Sequence, residues 1–374
     1  MDLELSTEQQ ELAGSARRFL SAECPMSLIR QVVEEGKRAE DLWAAMVALD
    51  WPSLAVPEEH GGLGLGQVEL EVVAEELGRV LAPVPYLATA TQFVPAIVEA
   101  GSAEQRQRFL SAVTGGTVGT VALAETGRFW VEDVACVATP THSGWRLQGT
   151  KSDVLDAGWA EEVVVSARLP GTSGAEGIGL FVVPQSALEI RPVHVIDATR
   201  QLADLVINDV EVDAERALGA PGTLGAALGR VLQHATAALC AETVGTSQAI
   251  FDIVRSYAGE REQFGVKIGS FQAIKHKLAN MYVALESARA TAYFAAAAID
   301  EDDVRRGEAV FMAKSASADC QKLVAQEGIQ CLGGIGYTWE HDMHLYVKRQ
   351  KVQAALFGTG AEHRDALASY LGLR

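Results

Sequence analysis

Apolar residues recur at helical spacing near the start of the chain. Leu12, Ala16, Phe19 and Leu20 follow Ser6 and Gln9, whose spacing is that of a capping box, and a first helix is predicted there. The same period predicts helices over 40–49, 68–81 and 104–113, separated by Pro52, Pro57, the glycines at 61, 62, 64 and 66, and Pro83 with Pro85. Residues 1–118 therefore read as an N-terminal helical domain. From Gly119 the period shortens. Val121, Val134, Val137, Leu147, 163–165, 180–183 and 205–212 form short β-rich runs between Gly, Pro, Asp and Ser, which predicts a compact antiparallel sheet or barrel over 119–217. After Leu218 the helical period returns in Ala-rich stretches over 225–259, 270–300 and 304–331, so 218–374 reads as a C-terminal helical domain. The expected class is α+β, mainly α, in the order helices, strands, helices.

Composition narrows the functional classes. The 374 residues, 48% hydrophobic and 21% charged, can bury a large core. The formal charge of −18 repels phosphate backbones and anionic membrane surfaces, which argues against nucleic acid or membrane as a partner. Five widely spaced cysteines without a C-x-x-C pair suggest neither a disulfide framework nor a zinc site. With no basic segment followed by an apolar run at the N-terminus and no long apolar stretch, a cytoplasmic location is expected.

Three segments invite a chemical reading. The glycines from 61 to 66 lack the preceding strand and the lysine of a phosphate loop, so a tight turn between helices is expected. Residues 257–282 place Arg261, Phe264, Gly265, Gly269, Phe271 and Gln272 in a turn between two long helices. An arginine can fork onto a diphosphate and an aromatic ring can cover a ribose, although Arg261 can equally pair with Glu260 or Glu262. Residues 329–351 place Gln330 ahead of Gly333, Gly334 and Gly336, where backbone amides can approach an anion or a purine edge. Glu340, His341, Asp342 and His344 lack the spacing of a recognised zinc motif and read as a polar helix start; no metal site is expected.

Six ordered segments carry a family likeness: PEEHGGLGLG (57–66), EELGRVLAPVPY (75–86), GWRLQGTKSDVLDA (144–157), DATRQLADLVINDVEV (197–212), EREQFGVKIGSFQAIKHKLANM (260–281) and GIQCLGGIGYTWEHDMHLYVKR (328–349). Through them the chain resembles the acyl-CoA dehydrogenase family over essentially its whole length. The resemblance implies an N-terminal helical domain, a middle antiparallel β-barrel-like domain and a C-terminal four-helix bundle, assembled as a dimer of dimers with FAD shared across a subunit interface. Arg261, Phe264, Gln272, Gln330, Gly333 and Gly334 match the positions that hold the pyrophosphate and adenosine half of the flavin.

The other half of the pattern departs from the family. Where the family reads T-E-P and small residues, this chain has Ala124-Glu125-Thr126-Gly127-Arg128-Phe129-Trp130, and the flavin wall W-I-T is Asp153-Val154-Leu155. The family's catalytic glutamate occupies one of two places, and these hold Phe357 and, counting back from Arg261, Ala235, with His234 and Thr236 beside it. Glu125, Asp156, Glu242 and Glu362 lie near these motifs and are expected to be exposed or structurally paired, so no catalytic residue is assigned. The resemblance thus implies the non-catalytic, β-type subunit of an actinobacterial heteromeric α2β2 acyl-CoA dehydrogenase acting on sterol side chains or other bulky acyl-CoAs. Such a subunit supplies the adenosine-half site to a catalytic partner that binds most of the acyl-CoA. Two alternatives remain at this stage: a self-sufficient homomeric flavoenzyme with its base elsewhere, and a binding or scaffolding homologue without flavin.

Overall fold

A computed structural model describes residues 4–373, and the chain forms two compact units. The first comprises residues 38–70 and 84–235. It holds α3 (Glu40–Val47), α5 (Tyr86–Ala88), α6 (Val94–Ala100), α7 (Ala103–Thr114) and a seven-stranded sheet. The strands are β1 (Gly119–Ala122), β2 (Val137–Pro140), β3 (Gly144–Leu155), β4 (Glu162–Arg168), β5 (Ile178–Pro184), β6 (Glu189–Val193) and β7 (Leu202–Asp213). Their order is β1-β4-β2-β3-β7-β6, with β5 also pairing β4. The expected antiparallel pairing holds for β2 with β3, β3 with β7, β4 with β5 and β6 with β7. It fails at β4, to which β1 runs parallel with Val121 opposite Val164, and β2 likewise with Val137 opposite Arg168. Val163–Val165 and Leu180–Val183 are buried on both faces, which explains why they appear in the sequence as unbroken apolar runs. Phe93, Ile97, Phe109, Val164, Leu180 and Leu228 form the heart of this core. Each such side chain contributes about 1.5–3 kcal/mol through removal from water.

The second unit comprises the chain up to Lys37, residues 71–83 and residues from Thr236 onward. Here lie α1 (Thr7–Glu23), α2 (Met26–Glu35), α9 (Gln272–Asp300), α10 (Arg306–Leu332), α11 (Met343–Ala355) and α12 (Gly360–Tyr370), with a short hairpin of β8 (Glu262–Gln263) and β9 (Val266–Lys267). Two helices, α4 (Gln67–Arg79) and α8 (Gly225–Glu260), carry residues of both units. The capping box at α1 forms as the sequence predicts: the Gln9 amide donates to Ser6 Oγ and the Ser6 amide to Gln9 Oε1. Ala292, Ala295, Ala309 and Ala313 are fully buried with Cys240, and their small side chains let α9 and α10 pack closely against α8. Gly328 serves the same end, since a Cβ there would lie 2.6 Å from Met343 Cε. All five cysteines are buried and free. No helix among the described residues is long and apolar enough to cross a membrane.

Candidate functional site

The six cofactor-site candidates fall into two groups, both in the helical unit. At the end of α8 the chain turns through the β8–β9 hairpin, whose two central residues, Phe264 and Gly265, adopt the left-handed conformation (φ 54° and 79°) that a two-residue hairpin favours. The turn projects Phe264 almost wholly into solvent, 92% exposed, with its ring edge-on to Phe271 at 6.2 Å. The backbone fixes Arg261, whose amide donates to Tyr257 O and whose carbonyl accepts from the Ile268 amide. Its guanidinium is exposed and forms no ion pair with Glu260 or Glu262. Gln272 opens α9, also exposed, with Oε1 3.2 Å from His276 Nε2.

The second group ends α10. Gln330 is exposed, and the helix stops at Gly333, whose φ of 65° with ψ of −140° is open only to glycine. A Cβ at Gly333 or Gly334 would meet nothing within 4 Å, so this corner is unobstructed. Lys277 of α9 pairs with Glu327 of α10, one turn before Gln330, which ties the two carriers together. Ile335, Tyr337 and Trp339 continue the exposed surface. An uncommitted cation, two exposed amide side chains, an exposed aromatic ring and an open glycine corner suit the diphosphate and adenosine of a dinucleotide. His341 and Asp342 have local tasks instead: His341 Nδ1 accepts from the Met343 amide and Asp342 pairs with Arg30. Among the described residues no cluster of three metal-ligating side chains occurs.

The sheet unit presents a different picture at the remaining family motifs. Ala124, Phe129 and Leu155 are buried and Trp130 is half-buried. A register shift in β3 between Lys151 and Val154 carries Asp153 at φ 53°, and its amide donates to Asp204 Oδ1. Burial, and the neighbouring Asp204 charge, push the Asp153 carboxyl above its ordinary pKa. Neither a hydroxyl nor a flat ring stands at 153–155 or at 124, so this surface does not fit the isoalloxazine contacts that the motif implies. Beneath it Glu125 is fully engaged. Its carboxylate accepts from Lys151 Nζ at 2.5 Å and from the amides of Ala135 and Cys136. Lys151, wholly buried, also donates to Leu123 O and Ser166 Oγ.

At the first base position Phe357 is buried in the left-handed region, φ 57°, where a bulky residue costs about 1–2 kcal/mol. The turn is held from two sides. Lys314 Nζ donates to Gln353 O at 2.7 Å and Leu356 O at 2.8 Å, and His363 Nε2 lies 2.8 Å from Phe357 O, where it acts as donor. Burial lowers the Lys314 ammonium to about 8 and the His363 imidazole to about 4. At the second position Ala235 is buried, and His234 Nδ1 is 2.8 Å from Gln67 Oε1. The nearby carboxylates are occupied: Glu242 pairs with buried Arg349 at 2.9 Å and accepts from Gln353 Nε2, while Glu362 closes the α12 capping box with Thr359. Asp156 is buried in a left-handed turn, its amide donating to Gln201 O. Lys314 and His363 are not among the residues that motif reading picks out. A lone lysine within the Ala-rich run of α10 was the available signal for Lys314.

Comparison with known proteins matches residues 6–117 to the acyl-CoA dehydrogenase N-terminal domain and residues 224–372 to the acyl-CoA dehydrogenase C-terminal domain. A mitochondrial isovaleryl-CoA dehydrogenase from Solanum tuberosum is 30% identical over 332 residues, covering 87% of this chain and 80% of its own. The chain belongs to the acyl-CoA dehydrogenase family. Among solved structures, a chain of the ChsE4–ChsE5 complex from Mycobacterium tuberculosis superposes with a TM-score of 0.90 at 28% identity, covering 100% of this chain and 99% of that one. A chain of the Tcur3481–Tcur3483 steroid ACAD gives 0.88 at 33%, covering 98% of each. Acyl-CoA dehydrogenases are flavin-dependent oxidoreductases, and the helix, sheet, helix order of this member is that of the family.

Proposed function

We propose that this chain is the non-catalytic subunit of a heteromeric acyl-CoA dehydrogenase, contributing the adenosine-half site for an FAD whose reactive ring lies against a homologous catalytic subunit. The observation that carries this reading is Phe357 at the family's base position, buried and fixed through its own carbonyl by His363. Dehydrogenation of a CoA thioester needs a base to take the α-proton, and a phenyl ring cannot accept one. FAD, when bound, supplies the acceptor for the β-hydride. The residues of this chain hold its far end: Arg261 forks onto the diphosphate, Phe264 covers the ribose or purine, and Gln272, Gln330 and the amides at Gly333 and Gly334 orient the adenosine.

Two further points support a heteromer. The two structural relatives described above are both named for two components, one of them as a complex and the other as a steroid ACAD, which favours a bulky, steroid-like acyl-CoA as substrate of the assembly. The sheet unit's own positions at the flavin motifs, Ala124 and Leu155, lack hydroxyl groups, which supports a reading in which functional flavins lie on the partner's sheet in an α2β2 assembly. The test is flavin absorbance of the purified chain alone and after co-expression with the homologous gene nearest its own. Stoichiometric FAD only in the co-expressed complex is expected. A yellow chain that oxidises acyl-CoA unaided would establish the homomeric enzyme instead, and no flavin in either preparation would establish a scaffold.

A further inference from the structure

The loop that follows the glycine corner is fixed by Arg30 of α2, whose guanidinium gathers three of its groups. Nη2 donates to Trp339 O at 3.0 Å and to Glu340 O at 3.3 Å, while Nε and Nη2 donate to Asp342 Oδ1 at 2.9 and 2.6 Å. A forked, charge-assisted clasp of this kind sets the path of the backbone as well as neutralising a charge. From the other end the Thr338 amide donates to Ile335 O at 3.2 Å, which ties the loop to the tight turn begun at Gly333. His344 Nε2 lies 3.3 Å from Trp339 O, where it acts as donor.

What the clasp holds in place is an indole. Of the six tryptophans, all within the described residues, Trp339 alone is exposed, at 52%. Its ring stacks on His344, with centroids 4.6 Å apart and planes inclined by 23°, and Lys348 Nζ lies 4.8 Å from its centroid. His344 and Lys348 are one turn apart on α11 and share a ridge of that helix, so the indole rests against α11 with half of its surface left to solvent. Burial and the Lys348 charge lower the His344 pKa, which keeps the stacked imidazole neutral at pH 7. A tryptophan fixed through both its backbone and its ring has already given up its rotamer freedom, and a ligand that stacks on it does not bear that cost.

We infer that Trp339 is the stacking platform for the adenine of the shared FAD and that Arg30 is its positioning residue. The inference rests on the adenosine-half reading above and divides the work within that site: the Gly333 and Gly334 amides meet the purine edge, Trp339 its face, and Phe264 is left to the ribose. The position suits a purine. The corner at Gly333 and Gly334 is open, and the 3-10 turn from Gly333 to Tyr337 rises only about 2 Å per residue, which keeps Trp339 close to that corner. Every base has a face that an aromatic ring can cover, and one such stack is worth about one to two decades in affinity.

The experiment strips FAD from the co-expressed complex and titrates the complex with FAD and, separately, with ADP. Trp339→Ala should weaken FAD binding about ten- to a hundredfold, and Trp339→Phe, which keeps a ring, should restore most of the affinity. ADP carries no isoalloxazine, so the tryptophan emission it quenches reports stacking of the adenine itself. That quench should be present in the wild-type complex and lost in Trp339→Phe, and Arg30→Met should reduce it even at saturating ADP, which a loss of stability alone would not do. Unchanged FAD affinity in Trp339→Ala, or an undiminished quench in Trp339→Phe, would overturn the inference. Impaired assembly of Trp339→Ala at unchanged FAD affinity would overturn it by assigning the ring to the subunit interface. Arg261→Ala tests the underlying reading separately: if it too leaves FAD affinity unchanged, the adenosine-half site itself is refuted, whereas weakening by Arg261→Ala alone keeps the site and removes Trp339 from it.

Discussion

Lys314 offers a direct test of the physical account of the Phe357 turn. Its ammonium is fully buried and satisfied by two backbone carbonyls, and burial lowers it from an ordinary 10.5 to about 8. The folded chain therefore gives up this proton at lower pH than the unfolded chain does. Below pH 8 both states are protonated and the full cost of burying the charge is present. Between pH 8 and 10.5 the unfolded state holds more protons, so stability rises with pH. The shift from 10.5 to about 8 corresponds to roughly 3 kcal/mol, about three-quarters of it recovered by pH 10. Lys314→Met keeps the side-chain volume and removes the titration, at the cost of leaving Gln353 O and Leu356 O unpaired, about 1–3 kcal/mol each. Urea unfolding of both proteins from pH 7 to 10 gives a difference curve in which other titrating groups cancel. Wild type should gain about 2–3 kcal/mol on the variant across that range. A flat difference curve would refute the reasoning, because it would mean that the lysine titrates normally and the turn is not held by a desolvated ammonium.

The other expectations follow from the same residues. His363 is buried with its pKa lowered to about 4, so its contribution is intact above pH 6.5 and is lost as pH falls toward 4; His363→Gln should flatten the acid limb of thermal stability over that window. Lys151→Met leaves the Glu125 carboxylate facing no cation and should cost about 3–5 kcal/mol, seen as a large fall in the melting temperature of the sheet unit. Arg261→Ala should leave the fold unchanged and weaken FAD retention by the assembled complex about ten- to a hundredfold, measured as flavin released on dilution.

The sequence was most legible where one period dominates. The α8, α9 and α10 helices, with their long Ala-rich faces, lie within a few residues of the predicted spans. The β6 strand escaped notice because Glu189–Val193 is short, charged and contains Pro192, as suits its place at the end of the strand order beside β7. The parallel pairing of β1 with β4 depends on partners about forty residues apart, and no local pattern records it. The cofactor candidates were visible as motif letters, yet what distinguishes Arg261, its freedom from Glu260 and Glu262, is a matter of geometry. Likewise, Glu125 and Lys151 meet across 26 positions, and Lys314 reaches the Phe357 turn from 43 positions away, so their tasks appear only once the chain is folded.

The measurement that bears most directly on the subunit role is acyl-CoA oxidation with an artificial electron acceptor, run on the chain alone, on its co-expressed complex, and on a complex whose partner has lost its own base glutamate. The account predicts no turnover by the chain alone, robust turnover by the complex, and none once the partner's base is removed, with FAD still bound. Sustained turnover by the isolated chain, or by the complex after the partner's base is lost, would contradict it.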